Sequence, residues 1–385
     1  MCGIVGLFVG CSALAYCPRK ALAPAGAATV AGAAPVAGAE TVAGAEGAEP
    51  GSGAGRFAGA GPASGLTPGA GADGQEVDVS YSSPFGRWAE RATVRRSPRR
   101  ELSAPSSDAS RYFSPELVPV ARHPLIAELR PELFDTVLVQ HLYRYLDFTA
   151  KLETLVVNRT ALGIAQGSVG VGLPEEMRFD AYKIYCDEAY HALFSVDLMR
   201  QVRDTTGIAP VLPGQPYFLR RLEEIQQELP PHTRALAELL FVTVSETLIS
   251  ASLAELPVDS EIVPAVRETI RDHAADEGRH HVYFAAFLRY LWAALDPSAR
   301  REAALLVPRL IAAFLQPDTD AVRAELLGYG LTRDDAEQVL AEVYDAKTVA
   351  AHTRATAKRT ISYFVALDVL DDPMVEHEFR AYGLL

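Results

Sequence analysis

The chain has 385 residues, 49 of them Asp or Glu against 36 Lys or Arg, for a net charge of −13; that length allows one large or two ordinary domains, and the acidic excess excludes nucleic acid as the main partner. Cys2, Cys11 and Cys17 crowd the N-terminus and leave Cys186 alone in the rest of the chain, which excludes a disulfide framework there and predicts a reducing, cytoplasmic setting. No apolar run reaches the ~18 residues that a membrane span needs, so no membrane partner is expected.

In chain order, residues 1–110 are expected to form a disordered extension. "AGAATVAGAAPVAGAETVAGAEGAEPGSGAG" lacks the large apolar groups that a packed core requires. It is followed by a basic stretch, "RWAERATVRRSPRR". The opening "MCGIVGLF" resembles the start of glutamine amidotransferases that use an N-terminal cysteine, yet nothing of that domain follows. A signal peptide would need a basic n-region, which is missing. Removal of residues 1–105 is therefore expected to leave function intact.

From "PELVPVARHPLIAELRPELF" onward the pattern is helical, and a single domain is expected over 111–385. The apolar periodicity predicts helices at about 131–166, 174–204, 215–228, 231–255, 260–294, 298–315, 318–328 and 332–363. Pro131 and Pro174 stand where helices begin, at positions whose missing N–H costs little. Strand signals are nearly absent, and "GIAPVLPGQP" reads as a loop. Long helices joined by short Pro- and Gly-containing turns favour an all-α antiparallel bundle. The closing "DDPMVEHEFRAYGLL" is expected to pack back on the core as a short tail.

Chemistry concentrates in four of these helices. "HAADEGRHH" places His273, Glu277 and His280 at i, i+4 and i+7, within roughly 60° on one helical stripe. The helix continues as "VYFAAFLRYLWAAL", so that stripe is buried. His281 lies at its edge. "CDEAYHALFS" repeats the theme with Asp187, Glu188 and His191, so Asp-Glu-x-x-His occurs twice, each time on a long apolar helix. Two lone acids complete the set, Glu153 in "FTAKLETLVV" and Glu246 in "LLFVTVSETLIS". An unpaired carboxylate in an apolar interior costs several kcal/mol, so it protonates, pairs or binds a metal.

One Glu from each of two helices, with Glu-x-x-His from each of two others, is the donor set of a carboxylate-bridged di-iron or di-manganese bundle of ferritin-like architecture. Two ferrous ions would balance the four carboxylates. Asp187 and Asp276, preceding Glu188 and Glu277, are placed to hold the outer ring nitrogens of ligand histidines. His273 is expected to add a seventh ligand.

On "KLETLVVNRT", "YCDEAYHALFS", "VSETLIS" and "RDHAADEGRHHVYF" the sequence resembles the para-aminobenzoate N-oxygenase family over about residues 115–360. The resemblance implies a di-iron cluster on Glu153, Glu188, His191, Glu246, His273, Glu277 and His280. It implies an O2-dependent monooxygenase that oxidises an amine, in all expectation an arylamine, towards a hydroxylamine, nitroso or nitro product in antibiotic or other secondary-metabolite biosynthesis. The partners it implies are a small-molecule amine, O2 and an external electron donor, and a homodimer is the expected assembly. Tyr182, Tyr185, Tyr190 and Phe194 are candidate walls of an aromatic pocket, with core packing as their alternative role. Competing readings are a di-iron C–H hydroxylase or desaturase, separated by a product assay, and a ferritin-like iron-binding protein, separated by finding a mineral core rather than two irons per chain.

Overall fold

The computed structural model describes residues 80–102, 111–253 and 260–385. Two short helices come first, α1 (Trp88–Arg91) and α2 (Thr93–Arg96), followed by α3 (Pro124–Ala127). The body consists of α4 (Pro131–Leu152), α5 (Asn158–Gln166), α6 (Glu175–Thr206), α7 (Tyr217–Glu228), α8 (Pro231–Leu253) and α9 (Pro264–Ala294). It closes with α10 (Pro297–Leu315), α11 (Thr319–Gly328), α12 (Arg333–Val343), α13 (Ala346–Val365) and α14 (Pro373–Ala381). Among the described residues the only β-type pairing is an isolated bridge between Arg111 and Ile262. No described helix is long and apolar enough to cross a membrane.

Local chemistry sets the helix ends. Prolines begin α4, α9, α10 and α14, where the first turn's N–H groups have no intrahelical partner anyway. Asp296, Asp318, Thr332, Asp345 and Asp372 accept hydrogen bonds from the first-turn N–H groups of α10 to α14. Gly207 ends the 32-residue α6 with φ +72°, a left-handed turn that a β-carbon would strain.

The predicted 332–363 helix is two helices. Asp345 caps Lys347 and Thr348 and so starts α13 afresh after α12. The predicted 131–166 helix is also interrupted. Residues Glu153–Val157 form a π-turn in which Asn158 N–H donates to the Glu153 carbonyl, between α4 and α5. One extra residue in the turn rotates the side chains that follow, and such turns mark functional positions. The C-terminal tail packs as expected, with Val375, Phe379 and Leu384 buried.

α4, α6, α8 and α9 surround one interior, with α8 against α9 and α4 against α6. α10 and α13 pack on α8 from outside. Phe241, Phe284, Phe287 and Leu291 are fully buried in the core, and each contributes about 1.5–3 kcal/mol of apolar burial. That stabilisation is the resource from which a buried polar cluster can be tolerated.

The expected disorder of residues 1–110 is corrected over 80–102. This segment lies across the bundle as a strap. Phe85, Ala92 and Thr93 are almost fully buried, and the basic residues meet acids on the bundle. Arg99 binds Asp197 at 2.8 and 3.0 Å, and Arg100 binds Asp272 at 2.9 Å and Glu268 at 2.8 Å. A basic stretch that looks solvated in isolation is neutralised by carboxylates on α6 and α9. The rest of 1–110, apart from residues 80–102, lies outside the described residues.

Candidate metal centre

Seven side chains meet in the interior, and each is no more than 1% exposed. Glu153 comes from the π-turn, Glu188 and His191 from α6, Glu246 from α8, and His273, Glu277 and His280 from α9. They fall into two groups that share Glu277: Glu153, His191, His273 and Glu277 in one, Glu188, Glu246, Glu277 and His280 in the other. Within each group the candidate ligand atoms lie within 4.8 Å of one another. Glu188 also faces both groups, with its carboxylate 2.7 Å from His191 Nδ1 and 2.7 Å from His280 Nδ1.

The chemistry of this donor set fits cations. Both oxygens of Glu153, Glu246 and Glu277, one oxygen of Glu188, His273 Nε2 and His280 Nδ1 are buried without a well-formed hydrogen bond, and their near neighbours are one another. Native interiors leave few such groups unpaired. At separations near 5 Å two carboxylates repel by roughly 3–4 kcal/mol at an effective dielectric of about 20. Burial, reinforced by Glu188, raises the Glu153 carboxyl to about 8, and burial with Glu277 nearby pushes Glu246 well above the usual range. Burial would also raise Glu277, but the imidazoles of His280 and His273 hold it below the ordinary carboxylate range. Two dications would satisfy the orphaned atoms and cancel the repulsion together.

Each histidine presents one nitrogen inward and anchors the other. His191 Nε2 lies 3.1 Å from Asp276, and His280 Nε2 lies 3.2 Å from Asp187. The aspartates therefore serve each other's helices: the one beside Glu188 holds the histidine of α9, and the one beside Glu277 holds the histidine of α6. A carboxylate on one ring nitrogen keeps its proton there and leaves the inward lone pair free for a metal. His273 runs the other way, with Nδ1 3.1 Å from the Tyr145 hydroxyl, and Nε2 3.2 Å from Glu277 and 3.7 Å from Glu153.

The strap reaches this layer too. Trp88 Nε1 donates to both oxygens of Asp187 at 2.8 and 2.9 Å. The Thr93 N–H and hydroxyl donate to Asp276, and Phe85 stacks on the His280 ring with centroids 6.0 Å apart. Sequence reasoning missed these residues. Their one signal was a large aromatic pair, Phe85 and Trp88, inside a stretch otherwise rich in charge.

Residues 80–368 match the model of the p-aminobenzoate N-oxygenase AurF family. The chain belongs to that family. It is also 28% identical over 246 residues to a 4-aminobenzoate N-oxygenase of Streptomyces thioluteus, an alignment covering 62% of this chain and 70% of that one. The family span begins at residue 80 rather than near 115, so the strap is part of the family domain.

Two residues of the expected aromatic pocket do not reach the family's buried centre. Tyr182 is 45% and Tyr185 38% exposed, because they occupy the outer face of α6. Tyr190 and Phe194 do line a cavity of about 210 Å³ closed on one side by Pro98, Arg99 and Arg100. The Phe194 ring forms its inner wall, with centroids 5.3 Å from His191 and 6.0 Å from His273. His281 turns away from the cluster to the Tyr363 hydroxyl at 2.5 Å.

Proposed function

We propose that the chain is an O2-dependent arylamine N-oxygenase whose cofactor is a pair of iron ions. Glu153, His191, His273 and Glu277 would hold one ion, and Glu188, Glu246, Glu277 and His280 the other, with manganese as the second metal this donor set would accept. The reading rests on one observation above all. In a chain of this family, seven buried side chains converge, and six of them, all but His191, turn ligand atoms without a hydrogen-bond partner towards one another.

Bound there, reduced iron would supply electrons and a binding position for O2. The protein's own groups do the rest. With ions bound, Asp276 and Asp187 would hold the remaining protons of His191 and His280 on Nε2 and leave Nδ1 to the metal. The Tyr145 hydroxyl, 3.1 Å from His273 Nδ1, would accept a hydrogen bond from that nitrogen and leave Nε2 to the metal. The apolar core excludes water, which protects reactive oxygen from side reactions. The amine must arrive neutral, since an ammonium has no lone pair to meet oxygen. One oxygen atom goes to nitrogen and the other leaves as water, with electrons from an external donor. Successive rounds carry the nitrogen through hydroxylamine and nitroso towards nitro, a group suited to secondary metabolites.

The test is iron analysis of purified protein followed by mass spectrometry of products from p-aminobenzoate and other arylamines, with a chemical reductant and isotopically labelled O2. Two irons per chain and labelled oxygen on nitrogen are expected. Label on carbon alone, or no metal at all, would reject the assignment.

A further inference from the structure

The strap does more than cover the bundle. We propose that Trp88 and Thr93 are positioning residues of the metal centre, each fixing one of its histidines through one aspartate; this rests on the metal-binding reading above.

Two parallel chains of contacts carry the argument. In one, Trp88 Nε1 donates to Asp187, and Asp187 Oδ2 lies 3.2 Å from His280 Nε2. In the other, Thr93 donates from both its backbone and its hydroxyl to Asp276, and Asp276 Oδ2 lies 3.1 Å from His191 Nε2. Both aspartates are completely buried, and Thr93 is 3% exposed. A carboxylate held only by an imidazole can rotate, and the imidazole can then exchange tautomers or turn its ring. A second donor on the far side removes that freedom. Arg279 helps on the α9 side, pairing with Asp276 and lying 3.9 Å from Asp187, but it comes from the same helix as Asp276 and His280. Trp88 and Thr93 come from outside the three helices and the π-turn that carry the ligands.

The two arms are separable because they end on different groups. Trp88 acts through His280, which belongs with Glu188 and Glu246. Thr93 acts through His191, which belongs with Glu153 and His273. The strap is thereby an outer brace for both halves of the centre, and Phe85 seats it against the His280 ring.

The experiment uses the full chain, Trp88→Phe, Thr93→Val and Thr93→Ser, with anaerobic Fe2+ as the probe. Iron affinity is measured by chelator competition, and the two iron environments by Mössbauer spectroscopy. Removal of a residue that orients a metal ligand typically weakens metal binding by about 10–100-fold. Trp88→Phe should lose affinity on that scale and shift one iron signal; Thr93→Val should shift the other. Thr93→Ser, which keeps the hydroxyl, should restore both affinity and spectrum. Wild-type affinity and spectra in Trp88→Phe and Thr93→Val would overturn the proposal. So would equal losses in Thr93→Ser and Thr93→Val with a lowered melting temperature of the metal-free protein, since that pattern is packing alone. A wild-type protein that binds no iron overturns the metal-binding reading itself, and this inference with it.

Discussion

The ligand-bearing elements and the strap carry charge into the same interior by opposite routes. In α6, α8, α9 and the turn after α4 the acids recur on one stripe of an otherwise amphipathic or apolar element, and that spacing marks the side that points inward. In residues 80–102 the charges stand among other charges, and nothing in their spacing says where they point. The helices are stabilised by their own apolar faces, whereas the strap is ordered only by what it meets: Asp197, Asp272 and Glu268 for its arginines, Asp187 and Asp276 for Trp88 and Thr93. A functional part built from periodicity is visible in one dimension. A functional part built from docking is visible only once its partner has a shape.

The sharpest test of this contrast removes one interior charge. Glu246→Gln keeps volume and deletes a carboxylate that burial and Glu277 already push towards protonation. Metal content should collapse, while the melting temperature of the metal-free protein holds or rises, because repulsion among the glutamates is relieved. Retention of two metals per chain would show that Glu246 is no ligand.

Truncation tests the strap. A chain starting at residue 80 should bind metal like the full chain. One starting at residue 106, expected from sequence alone to be fully active, should lose metal affinity and melt at lower temperature, because Phe85 and Thr93 leave the buried layer. Equal behaviour of the two truncations would return the strap to the status of a tail.

Within the helices, His273→Ala should retain most of the iron, since six of the seven candidate ligands remain, yet reduce turnover and alter the optical spectrum of the oxidised protein. An unchanged spectrum would exclude His273 from the metal. The smallest effect is expected outside it. Tyr145→Phe removes the hydroxyl 3.1 Å from His273 Nδ1, and should lower activity by about tenfold or less with metal content intact. A loss as large as that of His273→Ala would give Tyr145 a part in the reaction beyond orientation.

Most of the helical bundle was legible because apolar periodicity and N-terminal prolines are local signals. The interruption at Glu153 was not, since a π-turn leaves no distinct composition in "KLETLVV"; nor was the restart at Asp345, where a capping aspartate competes with a helix that could have continued. The seven clustered residues were legible because each is a polar group that an apolar helix cannot bury alone. The aromatic residues of α6 were read less well. Tyr182 and Tyr185 share their helix with the ligands but not their face, and a long helix with solvent on one side places aromatics there without penalty.

By itself the sequence determined the fold class and the residues that must find a common interior, because a buried carboxylate is costly unless it protonates, pairs or binds a metal, and that constraint is written in the lone acids of apolar runs and in the repeated Asp-Glu-x-x-His. Tertiary structure alone decided which atoms face one another: that Asp187 serves the histidine of α9 and Asp276 that of α6, that Glu277 sits in both groups, and that a basic stretch far from the ligands in sequence closes over them. Those pairings depend on the relative positions of separate helices in space, which no local pattern of residues encodes.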